Sequence, residues 1–84
     1  MKIVGERLRT LRDSIKLSQT KLANIIGTTQ ACINRYETDV SSPPLTVLLW
    51  YADYFDISLD YIFGRTDQPQ GKLYEYHPKI EKNS

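Results

Sequence analysis

Eighty-four residues with one cysteine and one histidine bound the chain to a single domain and exclude an intramolecular disulfide or a Cys/His zinc cluster. At 40% hydrophobic and 25% charged residues the composition is globular, and the balance of 11 basic against 10 acidic side chains argues at first sight against a polyanionic partner. No apolar run approaches the roughly 20 residues that span a bilayer, and charges from Lys2 onward leave no signal-peptide core, so a cytoplasmic chain without membrane partners is expected.

Val4, Leu8, Leu11 and Ile15 fall at the three-to-four spacing of an amphipathic helix over Ile3–Ile15. Ser18 is placed to cap a second, short helix in which Leu22, Ala23 and Ile26 share a face, and Gly27 is placed to stop it. Thr29 is placed to cap a third helix, from Gln30 to about Glu37, that buries Ile33 and Tyr36. The stretch from Thr38 to Pro44 is rich in turn formers and reads as a loop. A fourth helix follows from about Leu45 to Phe55, then a fifth capped by Ser58 and stopped by Gly64. Residues 1–66 thus read as an all-α, five-helix domain. Residues 67–84 read as an extension with a short possible strand at 72–76 and a frayed end.

Two short helices joined through a glycine turn have the geometry of a helix-turn-helix. The charge distribution agrees with that reading. Residues 1–35 hold seven basic side chains (Lys2, Arg7, Arg9, Arg12, Lys16, Lys21, Arg35) against Glu6 and Asp13, whereas 36–66 hold Arg65 against Glu37, Asp39, Asp53, Asp56 and Asp60. One half is basic and the other acidic, so near-neutrality conceals a face fit for a polyanion.

The segment Leu17-Ser-Gln-Thr-Lys-Leu-Ala-Asn-Ile-Ile-Gly-Thr-Thr-Gln-Ala-Cys-Ile-Asn-Arg-Tyr-Glu37 closely resembles the helix-turn-helix of the lambda-repressor-like (Cro/C1-type, XRE) family. Ser58-Leu-Asp-Tyr-Ile-Phe-Gly64 is similar to the family's last helix, and the resemblance covers about residues 4–64. It implies a sequence-specific transcriptional regulator, in all expectation a repressor, that binds a palindromic DNA operator as a homodimer. It also suits a bacterial or phage source.

On the third helix, Gln30, Ala31, Asn34 and Arg35 form one face opposite Ile33 and Tyr36. Amides and guanidinium reach base edges bidentately, and Ala31 offers a methyl to thymine, so these four are the candidate base contacts. The alternatives are plain solvation for Gln30 and Asn34, and a phosphate or an acidic partner for Arg35. Candidate phosphate contacts are Ser18, Gln19, Lys21, Thr28, Thr29, Thr38, Ser41 and Ser42. Gln19 leads them because the family's matching glutamine bonds a backbone phosphate. The resemblance further implies a structural ion pair between Arg12 and Glu37, without a DNA role for Glu37.

Leu45, Leu48, Leu49, Ala52 and Phe55 fall on one side of the fourth helix and are expected on the core. Val47, Trp50, Tyr51 and Tyr54 fall opposite, and with Tyr74 and Tyr76 they are the candidate homodimer interface. The alternative is that the C-terminal segment covers this face within one chain. Cys32 reads as a packing residue, with nothing nearby in sequence marked to lower its pKa. No phosphate loop, carboxylate pair or metal cluster is present in the sequence, so neither an enzyme nor a cofactor or metal is expected. Two rivals stand beside a regulator: an antitoxin that still binds DNA and whose aromatic face neutralises a toxin, and a helix-turn-helix fold reused as a protein-interaction module that no longer binds DNA. In either case, or for an antirepressor, the protein partner has no signature here.

Overall fold

A computed structural model describes residues 2–69, in which five helices follow one another: α1 (Lys2–Ser14), α2 (Gln19–Ile26), α3 (Gln30–Glu37), α4 (Leu45–Phe55) and α5 (Leu59–Ile62). There is no strand among the described residues, so the fold class is all-α. Segment 72–76, with Tyr74 and Tyr76, lies outside the described residues.

Local chemistry explains where the middle helices begin and end. Ser18 and Thr29 are extended, and their hydroxyls accept the backbone N–H of Lys21 and Cys32, satisfying first-turn donors that no helical carbonyl can reach. Gly27 ends α2 at φ 91°, a conformation glycine adopts without a Cβ penalty, and its N–H returns to the Ala23 carbonyl. Ser58 caps α5 in the same way by accepting from the Tyr61 N–H.

The core is built from Val4, Leu8 and Leu11 of α1, Leu22 and Ala23 of α2, Ile33 and Tyr36 of α3, and Ile57 and Ile62 around α5. α3 packs against both α1 and α2, while α5 packs against α1 and α4. Full burial of Leu8, Leu22, Ile33 and Ile62 contributes about 1.5–3 kcal/mol per side chain.

Two expectations are corrected. Ile15 does not continue the apolar stripe of α1. The helix ends at Ser14, Lys16 turns at φ 57°, and Leu17 is brought back half-buried while Ile15 is exposed. On α4 the core face is Val47, Leu48, Tyr51 and Ala52, whereas Leu45 is 63% and Leu49 42% exposed. The helix is thus rotated by roughly 65° from the expected phase, at 3.6 residues per turn. The cause is the Tyr51 ring, which is wholly buried, stacks on Phe55, and lies close enough to feel the charges of Glu37 and Arg12.

Two long-range contacts fix α1 to the rest. The Gly5 N–H, in the first turn of α1, donates to Asp39 Oδ1 at 3.2 Å, just beyond the end of α3. The approach is close: a Cβ on Gly5 would sit 2.5 Å from the Glu37 carbonyl oxygen and 2.6 Å from Asp39 Oδ2. At the other end, Arg7 lies 4.0 Å over the Tyr61 ring and donates to the carbonyls of Tyr61 and Thr66 and to Asp67. Residues beyond α5 are thereby held against α1.

Candidate nucleic-acid interface

α3 has one face in the core and one in solvent. Ile33, Tyr36 and Glu37 point inward, and Gln30, Ala31, Asn34 and Arg35 are exposed. The four candidate base contacts therefore share one accessible surface, at the helix that follows the Gly27 turn. Arg35 has no ion-pair partner among the described residues, so its guanidinium is available.

Behind that surface lies a charged anchor. Arg12 Nε donates to Glu37 Oε2 at 2.6 Å and Arg12 Nη2 to Glu37 Oε1 at 2.9 Å, a two-point geometry that a lysine does not offer. The side chains are 11% and 2% exposed, so the pair is screened little by water. Arg12 Nη1 also donates to the Leu17 carbonyl at 2.7 Å, tying α1 to the entry of α2. The hydrogen bond to Glu37 raises the Arg12 pKa above its ordinary value, against desolvation, which lowers it.

The amides join onto this anchor. Gln19 Nε2 donates to Glu37 Oε1 at 3.0 Å and to Asn34 Oδ1 at 3.3 Å, and Gln30 Nε2 donates to Gln19 Oε1 at 2.6 Å. The Gln19 amide is therefore turned toward α3, which leaves its backbone N–H at the start of α2 as its donor toward an anion. The Ser18 and Thr29 hydroxyls serve as caps, and Thr38 Oγ1 donates to the Asn34 carbonyl at 2.8 Å. Lys21 is exposed and Thr28 half-buried. Ser41 and Ser42 line a cavity of about 300 Å³ with Val4, Leu45 and Leu48.

Cys32, half-buried beside this surface, differs from the sequence reading. The neighbouring Thr29 and Thr28 hydroxyls and, with a smaller contribution, the Arg35 charge lower its pKa from the ordinary thiol value. The proposed interface on α4 is also altered. Val47 and Tyr51, expected on a face open to a partner, are buried in this chain's own core and offer none. Trp50 is half-buried and stacks on the exposed Tyr54 at 4.7 Å. Sequence reasoning missed Gly5 and Asp39, whose contact holds the end of α3; nothing in their local pattern marked them.

Two short capped helices at a glycine turn, the second presenting amides and a guanidinium from a rigid core, define a lambda-repressor-like helix-turn-helix domain. A family model described as helix-turn-helix matches residues 8–62, and the chain belongs to that family of DNA-binding regulators. It is 38% identical over 79 residues to the HTH-type transcriptional regulator YobD of Bacillus subtilis, covering 94% of this chain and 64% of that protein. It is 33% identical over 69 residues to the cryptic phage CTXphi transcriptional repressor RstR of Vibrio cholerae, covering 80% and 62% respectively. The chain thus spans less than two thirds of the length of these relatives. Among solved structures, the P22 c2 repressor in complex with a synthetic operator is similar, with a TM-score of 0.66 and 27% identity over 74% of this chain and 94% of that one. No described helix is long and apolar enough to cross a membrane.

Proposed function

We propose that the protein is a transcriptional repressor that binds a palindromic operator as a homodimer, with α3 in the major groove. The observation that carries this reading is the exposed face of Gln30, Ala31, Asn34 and Arg35, on a helix whose other face is fixed in the core. Its likeness to a repressor seen with operator DNA supports the same placement. Gln30 and Asn34 read adenine or other base edges, Arg35 reads guanine or clamps a phosphate, and Ala31 meets a thymine methyl. Ser18, Gln19, Lys21, Thr28, Thr29, Thr38, Ser41 and Ser42 supply backbone contacts that set register without reading sequence. Glu37 has its carboxylate in the pair with Arg12 and touches no DNA.

Two copies join through the solvent side of α4, which exposes Leu45, Leu49 and Tyr54 and holds Trp50 half-buried against Tyr54. Dimerisation places two reading helices about one helical turn of DNA apart and supplies the affinity that a monomer with few phosphate contacts lacks.

The test is fluorescence anisotropy with inverted repeats taken from upstream of the protein's own reading frame. Replacement of Gln30, Asn34 and Arg35 by alanine abolishes selective binding if the reading is correct; unchanged binding refutes it. Sedimentation of the wild type and of Tyr54→Glu tests the assembly, with a dimer and a monomer expected respectively.

A further inference from the structure

We propose that Glu37 is a positioning residue for base recognition: its carboxylate fixes which end of each amide in the Gln19, Gln30 and Asn34 set faces outward, and so sets the bases they accept. The proposal rests on the reading of α3 as the helix that enters the major groove.

A carboxylate only accepts, so any amide that meets Glu37 must turn its NH2 toward it. Glu37 already receives two donors from Arg12, and Gln19 Nε2 is the third at 3.0 Å. The orientation of Gln19 is therefore dictated by a buried charge. Its second N–H goes to Asn34 Oδ1 at 3.3 Å, which uses both hydrogens and leaves only the oxygen. Gln30 Nε2 donates to that oxygen at 2.6 Å. The polarity passes outward in this way. Gln30 keeps its carbonyl oxygen and one N–H for a ligand, while Asn34, its oxygen turned to Gln19, keeps its NH2.

Those outward groups are not equivalent before DNA. The major-groove edge of adenine pairs a donor, N6–H, with an acceptor, N7, and matches the remaining oxygen and N–H of Gln30. Guanine presents two acceptors, O6 and N7, and sets O6 against the Gln30 oxygen. Asn34 matches an acceptor edge, such as guanine O6/N7 or thymine O4. An amide without this wiring turns over freely and satisfies either purine. Glu37 is suited to the task because Arg12, itself held by the Leu17 carbonyl, pins it from behind.

The experiment is selection of duplexes from a randomised pool by the full chain, read by sequencing, for wild type, Glu37→Gln, Gln19→Met and Gln30→Ala. Gln30→Ala identifies the base pair that Gln30 faces. At that pair the wild type prefers adenine over guanine by about 5-fold or more, the size of one good bidentate contact. Glu37→Gln and Gln19→Met each reduce the preference below about 2-fold, and relax the choice at the pair that Asn34 faces while leaving the remaining positions unchanged, since two contacts no longer differ by a full hydrogen bond. Gln19→Met leaves the Arg12–Glu37 pair intact, so it decides the matter if circular dichroism shows Glu37→Gln unfolded. Adenine preference retained in a folded variant, with only a uniform fall in affinity, overturns the proposal, as does a wild-type preference for guanine. If the wild type selects no duplex, or Gln30→Ala alters no position, the placement of α3 fails and this proposal falls with it.

Discussion

Removing one partner of the Arg12–Glu37 pair costs more than removing both. Arg12→Met strands a carboxylate that is 2% exposed and leaves Gln19 as its remaining donor among the contacts described. An uncompensated buried charge of this kind costs about 3–5 kcal/mol. Glu37→Leu strands a guanidinium that is 11% exposed but keeps the Leu17 carbonyl at 2.7 Å and the Asp13 carboxylate at 3.4 Å. Its cost falls at or just below the lower end of that range, about 2–3 kcal/mol. Arg12→Met/Glu37→Leu fills the site with apolar groups and is expected within about 2 kcal/mol of wild type. The coupling, about 3 kcal/mol or more, is large beside the 5–15 kcal/mol total stability of a small domain. Urea denaturation followed by circular dichroism measures all four proteins, with equal m-values as the check that each unfolds from the same compact state. A double variant whose loss equals the sum of the single losses within about 0.5 kcal/mol refutes the reasoning.

At Gly5, alanine would stabilise an ordinary helix position, yet here its methyl meets backbone at 2.5 Å, so Gly5→Ala is expected to lose about 1–3 kcal/mol; a raised melting temperature would show that the helices separate without cost. The Tyr51 hydroxyl is buried without a hydrogen-bond partner among the described residues, so Tyr51→Phe is expected to be neutral or stabilising by up to about 1 kcal/mol in denaturation. Burial pushes the Tyr51 phenol above its ordinary value of 10.0, so the folded protein holds the proton more tightly than the unfolded chain. Its contribution is fully present below that value and is lost as pH rises beyond it, and a stability difference between wild type and Tyr51→Phe that stays flat in strong base would contradict this. The Cys32 thiol, its pKa lowered first by the Thr29 hydroxyl, is expected to alkylate with a pH midpoint below that of a free cysteine. Thr29→Val should move that midpoint up, and an unmoved midpoint would remove the hydroxyl as its cause.

The helix-turn-helix was legible because its signals are local. Ser18, Gly27 and Thr29 each act on backbone within three or four residues of themselves, and those caps set the helix bounds. The phase of α4 was not legible, because Leu45, Val47, Leu48, Leu49, Trp50 and Tyr51 are apolar or aromatic around most of the helix. Burial of the Tyr51 ring, near the charges of Arg12 and Glu37, goes with the arc that turns inward, and that is a tertiary matter. The exposed face of α3 was readable from its period. The partner of Gln19 was not, since an amide serves a phosphate or a neighbouring side chain equally well until the approach of Glu37 is known.

The contact of Gly5 with Asp39 joins residues 34 apart in sequence, so chain and contact together close a ring that contains α2 and α3. Closing such a loop costs entropy once, and every contact formed inside it is then cheaper. α3 is therefore expected not to fray on its own. Amide protons of α2 and α3 should exchange with solvent together, at a rate set by opening of the ring, as one cooperative unit. The same closure makes the first turn of α1 part of that unit, although Gly5 lies 34 residues before Asp39 along the chain.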